Sequence, residues 1–330
     1  MRVVYNTYPV AFDCPGGGEV QLRQSAAALT KRGLDIQLFD PWKPQLESAD
    51  LVHFFSVQGG SMNFCSYVKN QRRLPLLISP VLWLTPENRP LLPLDEIRDL
   101  LHLCDQILPN SQLEARQLCK EFDLEPEKVT VVHNGVDESF AEPVSPDIFK
   151  NRFGIERPFL LNVANVEPRK NQLRLAQAAK SIGMDLVILG NVRDDAYHRA
   201  CQDAAGSHWR WLGALDHASD ILRSAYGACD LFVLPSLLET PGLAALEAAA
   251  AGAKVLVTKE GSTREYFAEY VTYVDPLSTR EIQSGVVASL QKVCSSDLAK
   301  HVLSRFTWQN AARQLHEAYQ TVLLQRQKGP

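Results

Sequence analysis

Two glutamates in an E-x7-E spacing flank a segment that predicts the start of a helix. Glu239 precedes Gly242 and Leu243, and Glu247 lies in the alanine-rich stretch that follows, a pattern typical of a helix. The first turn of a helix presents unpaired N–H groups and the positive end of its dipole, and a glycine there lets a phosphate approach closely. Carboxylates accept hydrogen bonds from sugar hydroxyls. An alternative is equally open: Glu239 is a favourable charge at a helix N-terminus, and Glu247 is a surface residue.

Two adjacent cations, Arg169 and Lys170, lie in the segment NVEPRKN that begins at Asn165. The segment follows a predicted strand and precedes a predicted helix over residues 172–180, which puts both cations at the carboxyl edge of a sheet. Cations at that edge can hold a diphosphate and stabilise the charge that develops as it leaves. A solvated basic turn is the alternative. The matching location of the Glu239 loop favours the functional interpretation.

A third candidate segment is CPGGGE, in which Gly17 and Gly18 stand between a predicted strand and a predicted helix. Glycines at this place can bring the backbone close to a phosphate or a sugar. The segment is neither G-x-G-x-x-G nor a P-loop with its lysine. A flexible turn is an equally open interpretation.

The elements that must position these residues follow one pattern along the whole chain. Short apolar runs alternate with amphipathic segments, which predicts parallel sheets covered by helices. The predicted strands of the first series cover residues 2–5, 35–39, 51–55, 76–79, 106–109 and 129–133, and those of the second cover 159–164, 185–189, 210–212, 230–234 and 254–258. Prolines within residues 138–158 predict a linker between the two series.

The predicted fold class is therefore α/β, with two Rossmann-like, doubly wound parallel-sheet domains facing a cleft. We predict domains over residues 1–145 and 146–305, followed by a helical segment over residues 306–330. Ligands of such folds bind beyond the carboxyl ends of the strands, so a cleft between the domains is the expected site.

Composition argues against several other classes of protein. The net charge of −4 divides into −6 for residues 1–150 and +2 for residues 151–330, so neither half resembles a nucleic-acid binder. No apolar run is long enough to span a membrane and the N-terminus lacks signal-peptide features, so we expect a cytoplasmic protein with at most peripheral membrane contact. Seven scattered cysteines without C-x-x-C spacing predict reduced thiols and no metal site.

Several motifs in this order resemble those of the family 4 retaining glycosyltransferases, which have the GT-B-type fold. The strongest is the E-x7-E pattern around PGLAALEA. Supporting motifs are PSLLE, EPRKN, HNGVD and GGGE, which begin at residues 235, 167, 133 and 16. The resemblance runs through most of the chain.

The resemblance implies a nucleotide-diphosphate-sugar donor held mainly by residues 146–305, with residues 1–145 on the acceptor side and the final helix packing back on them. Glu239 would contact the transferred sugar and Glu247 the ribose. Arg169 and Lys170 would hold the diphosphate, assisted by the amides near Gly242 and Leu243. The donor site would also include Asn165, Gly17 and Gly18. Such enzymes need no metal and no other cofactor, and they retain the anomeric configuration.

Two positions depart from the family pattern. The family often has an arginine where Asn165 stands, and a histidine in the region that Ser79 and Pro80 occupy here. His53, at the end of a predicted strand, is the nearest substitute as a catalytic group. The alternative is that His53 is a structural histidine paired with backbone atoms.

The predicted function is transfer of a sugar to a glycan, lipid-linked or small-molecule acceptor, in polysaccharide or glycoconjugate biosynthesis. Two alternatives stay open. One is a nucleotide-sugar-binding protein without transferase activity, which the missing histidine and Asn165 favour. The other is a nucleotide-sugar epimerase, which the combined E-x7-E and EPRKN motifs disfavour.

Overall fold

The computed structural model describes residues 1–13, 15–57 and 59–327 of the chain. Contacts divide the chain into two units. The first unit comprises Met1–Gly135 together with the segment from Trp308 onward, and the second unit comprises Val136–Thr307. All strand pairings described within the two sheets are parallel. The predicted fold class of two parallel α/β domains is confirmed.

The first unit contains a five-stranded sheet with the order β2-β1-β3-β4-β5. Every residue of its two central strands β3 and β4 is buried, as a parallel sheet covered on both faces requires. The elements of this unit before residue 136 are β1 (Arg2–Thr7), α1 (Gly17–Lys31), β2 (Asp35–Leu38), β3 (Leu51–Phe55), α2 (Ser61–Ser66), β4 (Leu76–Ser79), α3 (Leu94–Leu103), β5 (Gln106–Ile107) and α4 (Gln112–Phe122).

The second unit contains a six-stranded sheet with the order β11-β10-β9-β6-β7-β8. Its elements are α5 (Pro146–Phe153), β6 (Phe159–Val163), α6 (Gln172–Ile182), β7 (Asp185–Leu189), α7 (Asp195–Ala205), β8 (Trp209–Trp211), α8 (Asp220–Ala228), β9 (Leu231–Leu234), α9 (Leu243–Ala250), β10 (Val255–Thr258), α10 (Thr263–Phe267), β11 (Thr272–Val274), α11 (Thr279–Gln291) and α12 (Asp297–Arg305).

Alternate residues of β6 show that both faces of this second sheet are covered. Phe159 and Leu161 pack into one apolar cluster, whereas Leu160 packs into another. Successive side chains of a strand point to opposite faces, so helices pack on each face of the sheet. The carboxyl ends of the strands are left as the edge from which loops can present side chains.

The last helix, α13 (Trp308–Gln327), belongs to the first unit and packs against α1. Its buried Tyr319 hydroxyl lies 2.7 Å from the hydroxyl of Tyr5 in β1. Burial of these rings ties the end of the described chain to the first strand of the sheet.

The unit boundaries differ from those expected at 145 and 305. Val136 pairs with Thr307 in an isolated parallel bridge, and the Val136 amide donates to the Phe306 carbonyl. Phe140 is buried in the main apolar cluster of the second unit. Residues 136–145 and 306–307 therefore belong to the second unit because their contacts lie there.

The strand predicted over residues 129–133 forms only in part. Val129 pairs with Ile107 in an isolated parallel bridge, and the amides of Thr130 and Val132 donate to the carbonyls of Ile107 and Pro109 at 2.9 and 3.0 Å. Its neighbour β5 has two residues, so the pairing is too short to make a regular strand of this segment.

Within the described ranges, no helix combines the length and the apolar character that crossing a bilayer requires.

Candidate functional site

The segment around Glu239 and Glu247 forms the strand–loop–helix unit that its sequence predicts. Strand β9 ends at Leu234, and α9 begins at Leu243 with Gly242 as its N-cap. Gly242 has a φ of +82°, and a Cβ built on it would lie 2.9 Å from Cδ2 of Leu234. The glycine is needed for both reasons, because it provides the left-handed turn and leaves room for Leu234. The backbone N–H groups at the start of α9 thus lie at the carboxyl edge of the sheet.

Lys170 and Glu239 form an ion pair at this edge. Lys170 Nζ lies 2.5 Å from Glu239 Oε1, and the side chains are only 15% and 6% exposed. The Ser236 hydroxyl donates to the same oxygen at 2.6 Å. Both described hydrogen bonds to the carboxylate therefore go to Oε1. An ammonium group has three donors, so Lys170 can bind a second acceptor while it holds Glu239.

The surroundings keep Glu239 ionised. Burial by itself raises the pKa of this carboxyl, but the charges of Lys170 and Arg169 and the hydrogen bonds from Lys170 and Ser236 outweigh burial and lower the pKa below its ordinary value. Burial lowers the pKa of Lys170, and the charge of Glu239 opposes that change. Each charge of the pair thus depends on the other for its stability.

Backbone contacts join the two loops that carry the pair. The Leu237 amide donates to the Arg169 carbonyl at 2.9 Å. Asn171, with a φ of +61°, donates from its side-chain nitrogen to the carbonyls of Pro235 and Pro276 at 2.8 and 2.7 Å. The EPRKN and PSLLE motifs are therefore one structural assembly, although they lie far apart in the sequence.

A third loop supports Glu239 from the other side. The Ser262 amide donates to the Glu239 carbonyl at 2.9 Å, and Gly261 pairs with Glu239 in an isolated bridge. Gly261 has a φ of +90°, and a Cβ on it would lie 2.1 Å from the Glu239 carbonyl oxygen. Only glycine allows this close approach of the two backbones.

Arg169 and Asn165 lie in the same loop as Lys170, in different surroundings. The Arg169 guanidinium is 53% exposed and donates to Glu167 at 3.1 Å. The hydrogen-bond donors of Arg193 favour the orientation in which the side-chain oxygen of Asn165 accepts from them, 3.1 Å from Nε and 3.2 Å from Nη2. Arg193 also pairs with Glu167 at 3.2 Å. Two arginines and Lys170 therefore meet around this loop, and Arg193 lies outside the motifs that the sequence shows.

Glu247 is buried and held by two side chains. His217 Nε2 lies 2.8 Å from Glu247 Oε1, and the Tyr226 hydroxyl donates to Oε2 at 2.6 Å. Glu247 is only 6% exposed, so the alternative in which it is a surface residue is wrong. His217 and Tyr226 were not predicted as site residues, because no local pattern in the sequence connects them to Glu247.

The first unit contains the other predicted residues. Gly17 and Gly18 form the first turn of α1 behind the N-cap Gly16, whose amide donates to the Glu19 carboxylate at 2.7 Å. Their backbone is thus helical and not that of a flexible turn. The structure brings Asn165, Arg169, Lys170, Glu239 and the start of α9 together within the second unit.

His53 is fully buried in β3 of the first unit. Its Nδ1 lies 2.7 Å from the Tyr319 hydroxyl and its Nε2 lies 3.0 Å from the Ser79 hydroxyl. Burial lowers the pKa of this imidazole to about 3. This placement favours the structural alternative over a catalytic one, and the partners are side-chain hydroxyls where backbone atoms were expected.

No group of three or more His, Cys, Asp or Glu side chains that could hold a metal ion occurs within the described parts of the chain. A cavity of about 750 Å³ lies in the first unit, between Leu74, His102 and Val322. None of the predicted site residues lines it.

Two family models match the chain over adjoining ranges. Residues 49–140 match the family described as Glycosyltransferase Family 4, and residues 145–288 match the family described as Glycosyl transferases group 1. The second range contains the complete Lys170, Glu239 and Glu247 assembly. Both models describe glycosyltransferases, and together they cover most of the chain.

Curated relatives are similar to this chain over part of their length. It is 26% identical to the serotype-specific mannosyltransferase WbdA of Escherichia coli over 243 residues, which covers 68% of this chain and 30% of WbdA. It is 30% identical to the D-inositol 3-phosphate glycosyltransferase of Mycolicibacterium smegmatis over 166 residues, which covers 48% of this chain and 38% of that protein. The chain thus spans less than half the length of either relative.

Solved structures resemble this chain over nearly its whole length. A sucrose-phosphate synthase from Thermosynechococcus elongatus has a TM-score of 0.81 at 16% identity, with 98% of this chain and 100% of that chain covered. The HepE protein of Anabaena in complex with UDP-glucose has a TM-score of 0.80 at 17% identity, with 97% of this chain and 100% of that chain covered. These similarities confirm the predicted GT-B type of fold.

Proposed function

We propose that this chain is a retaining glycosyltransferase that moves a sugar from a nucleotide-diphosphate-sugar to a glycan, lipid-linked or small-molecule acceptor in polysaccharide or glycoconjugate assembly. One observation carries the proposal. In a chain that matches two glycosyltransferase family models, Lys170, Glu239 and the start of α9 meet at the carboxyl edge of a parallel sheet. Ligands of doubly wound sheets bind at such edges.

The diphosphate would be held by fixed positive charge. Lys170 has ammonium donors beyond the one that binds Glu239, and the exposed guanidinium of Arg169 can form a two-pronged contact with phosphate oxygens. The N–H groups that follow Gly242 add the positive end of the α9 dipole. As the bond to the sugar breaks, negative charge grows on the leaving diphosphate, and these groups stabilise it. We therefore propose transfer without a metal cofactor.

The two glutamates would bind the two sugars of the donor. Glu239 is ionised and uses Oε1 for Lys170 and Ser236, which leaves Oε2 to accept hydrogen bonds from the transferred sugar. Glu247 lies just over one turn inside α9, at a greater distance from the phosphate position, and would accept from the ribose hydroxyls. The HepE protein, solved with UDP and with UDP-glucose, supports a nucleotide-sugar as the class of donor.

A thermal-shift panel tests the donor class. UDP, GDP, ADP and their common sugar conjugates are each added to the protein in the presence of a chelator. Ligand at about a hundred times its dissociation constant stabilises a protein by roughly 2.7 kcal/mol, so a selective increase in melting temperature with one base is expected. The absence of any shift, with or without divalent cations, would contradict the proposal.

Glu239→Ala tests the assignment of the sugar contact. We expect this variant to lose sugar transfer, or release of sugar from the donor, to a greater extent than binding of the free nucleoside diphosphate. An equal loss of both would argue against a contact with the sugar. The anomeric configuration of the product, read by proton NMR, tests retention.

A second candidate function is a nucleotide-sugar-binding protein without transferase activity. It is favoured by His53, whose two ring nitrogens are both engaged in a fully buried network. Donor binding with neither transfer nor donor hydrolysis would support this candidate.

A further inference from the structure

Two groups from outside α9 hold the carboxylate of Glu247. His217 lies in the loop between β8 and α8, and Tyr226 lies within α8. His217 binds Oε1 at 2.8 Å and Tyr226 binds Oε2 at 2.6 Å. One hydrogen bond to each oxygen fixes the plane of the carboxylate. Each oxygen has a second lone pair, so the carboxylate can still accept two further hydrogen bonds.

The two partners differ in their own surroundings. The Phe140 ring packs edge-on against both, with centroids 5.4 Å from His217 and 5.8 Å from Tyr226. Tyr226 is fully buried, whereas the side chain of His217 is 35% exposed. Tyr226 is therefore a fixed part of the core, and His217 stands at the border between the core and solvent.

Acidic groups on three segments of the chain act on His217. Glu247 comes from α9, Asp216 from the same loop as His217, and Asp137 from the segment before Phe140. The hydrogen bond to Glu247 raises the pKa of His217 most strongly, burial opposes it, and the charges of Glu247, Asp137 and Asp216 raise it further. A protonated imidazole donates a charge-assisted hydrogen bond, which is stronger than a neutral one.

We propose that His217 is a positioning residue for the nucleotide ribose, which acts by holding Glu247 in the orientation that accepts the two ribose hydroxyls. This inference rests on the proposed function, since it assigns the ribose to Glu247. It predicts that His217 affects the affinity for nucleotides that carry ribose hydroxyls and leaves the affinity for nucleotides without them unchanged. It also predicts weaker ribonucleotide binding as the pH rises through the titration of His217, because the charge assistance is then lost.

The test compares two ligands on four proteins. Calorimetry first identifies which of UDP, GDP and ADP binds the wild-type chain. That ribonucleoside diphosphate and its 2′,3′-dideoxy counterpart are then titrated into the wild type, His217→Ala, His217→Gln and the control His208→Gln. Glutamine places an N–H donor where His217 has Nε2 but does not titrate. His208 forms a comparable histidine–carboxylate pair with Asp185 at 3.1 Å, at the opposite edge of the sheet.

We expect His217→Ala to weaken binding of the ribonucleotide about tenfold, as the loss of a hydrogen bond to a charged group does. Binding of the dideoxy ligand should be unchanged. His217→Gln should restore most of the affinity and remove the pH dependence that the titration of His217 gives the wild type. His208→Gln should match the wild type in both affinity and pH dependence.

Equal weakening of both ligands by His217→Ala, or no weakening of either, would overturn the inference while the proposed function stands. Binding of no ribonucleoside diphosphate by the wild type would overturn the proposed function, and the inference with it.

Discussion

Removing either charge of the Lys170–Glu239 pair should destabilise the second unit. Removing both charges should destabilise it by less than the sum of the two single effects. Lys170→Met and Glu239→Gln preserve side-chain volume. Each substitution leaves the opposite charge buried, because the side chains of Lys170 and Glu239 are only 15% and 6% exposed. Breaking a buried pair costs on the order of 3–5 kcal/mol. The residual exposure of Lys170, and the Ser236 hydroxyl and helix N-terminus beside Glu239, reduce the expected cost of Lys170→Met to about 2 kcal/mol.

Differential scanning calorimetry of the two single variants and the double variant measures the coupling. For a domain of this size, about 1 kcal/mol shifts the melting temperature by roughly 2–4 °C, so Lys170→Met should lower the transition of the second unit by about 4–8 °C. The exposed pair Lys259–Asp275, at 2.7 Å, provides the control, and Lys259→Met should shift the transition far less. Single effects that add to the double effect within about 0.5 kcal/mol would refute a coupled buried pair.

Two further predictions concern backbone space and a buried histidine. Gly261→Ala places a Cβ 2.1 Å from the Glu239 carbonyl oxygen, whereas Gly252→Ala, at a similar φ of +81°, meets open space. Urea unfolding should show that Gly252→Ala lowers the free energy of unfolding by about 1 kcal/mol, from backbone strain alone. Gly261→Ala should lower it by at least about 3 kcal/mol. Equal costs would contradict the close approach at Gly261. The pKa of His53 falls from 6.5 in the unfolded chain to about 3 in the fold. As the pH is lowered, the unfolded chain therefore binds the proton at a higher pH than the folded protein does. The first unit should then lose about 1.4 kcal/mol of stability per pH unit as the pH falls from about 6.5 towards 3. His53→Gln should flatten this slope in acid-unfolding curves, and a slope unchanged by the substitution would show that other groups cause it.

The alternation of apolar runs was sufficient to predict the two parallel sheets, because buried parallel strands read as continuous apolar segments. The predicted strand–loop–helix unit around Glu239 was correct for a local reason. Gly242 marks the helix start, and the alanines after it are helix formers. The prediction held only in part at residues 129–133, which pair with the end of β5 through a few backbone hydrogen bonds, because the extent of pairing depends on the length of β5 as well as on the segment's own residues.

The site could be predicted only as far as its local motifs extend. Lys170 and Glu239 lie on separate motifs, and the shared sheet edge brings them within 2.5 Å. His217 and Tyr226 carry no motif, and they reach Glu247 only because α8 packs against α9. His53 was a candidate because its place on a strand is visible in the sequence. Its partner Tyr319 lies on the last helix, far along the chain, so the burial of His53 could not be predicted from the sequence.

The most direct test of the central claim is calorimetric titration of the preferred nucleoside diphosphate into the wild type, Lys170→Ala and Lys300→Ala. Lys300 is 75% exposed on α12 in the same unit, so its removal changes the net charge equally. If Lys170 holds the diphosphate, Lys170→Ala should weaken binding by tenfold or more, as expected for a lost charge-assisted contact, and Lys300→Ala should bind as the wild type does. Equal affinities for the two variants would contradict the assignment of this sheet edge as the donor site.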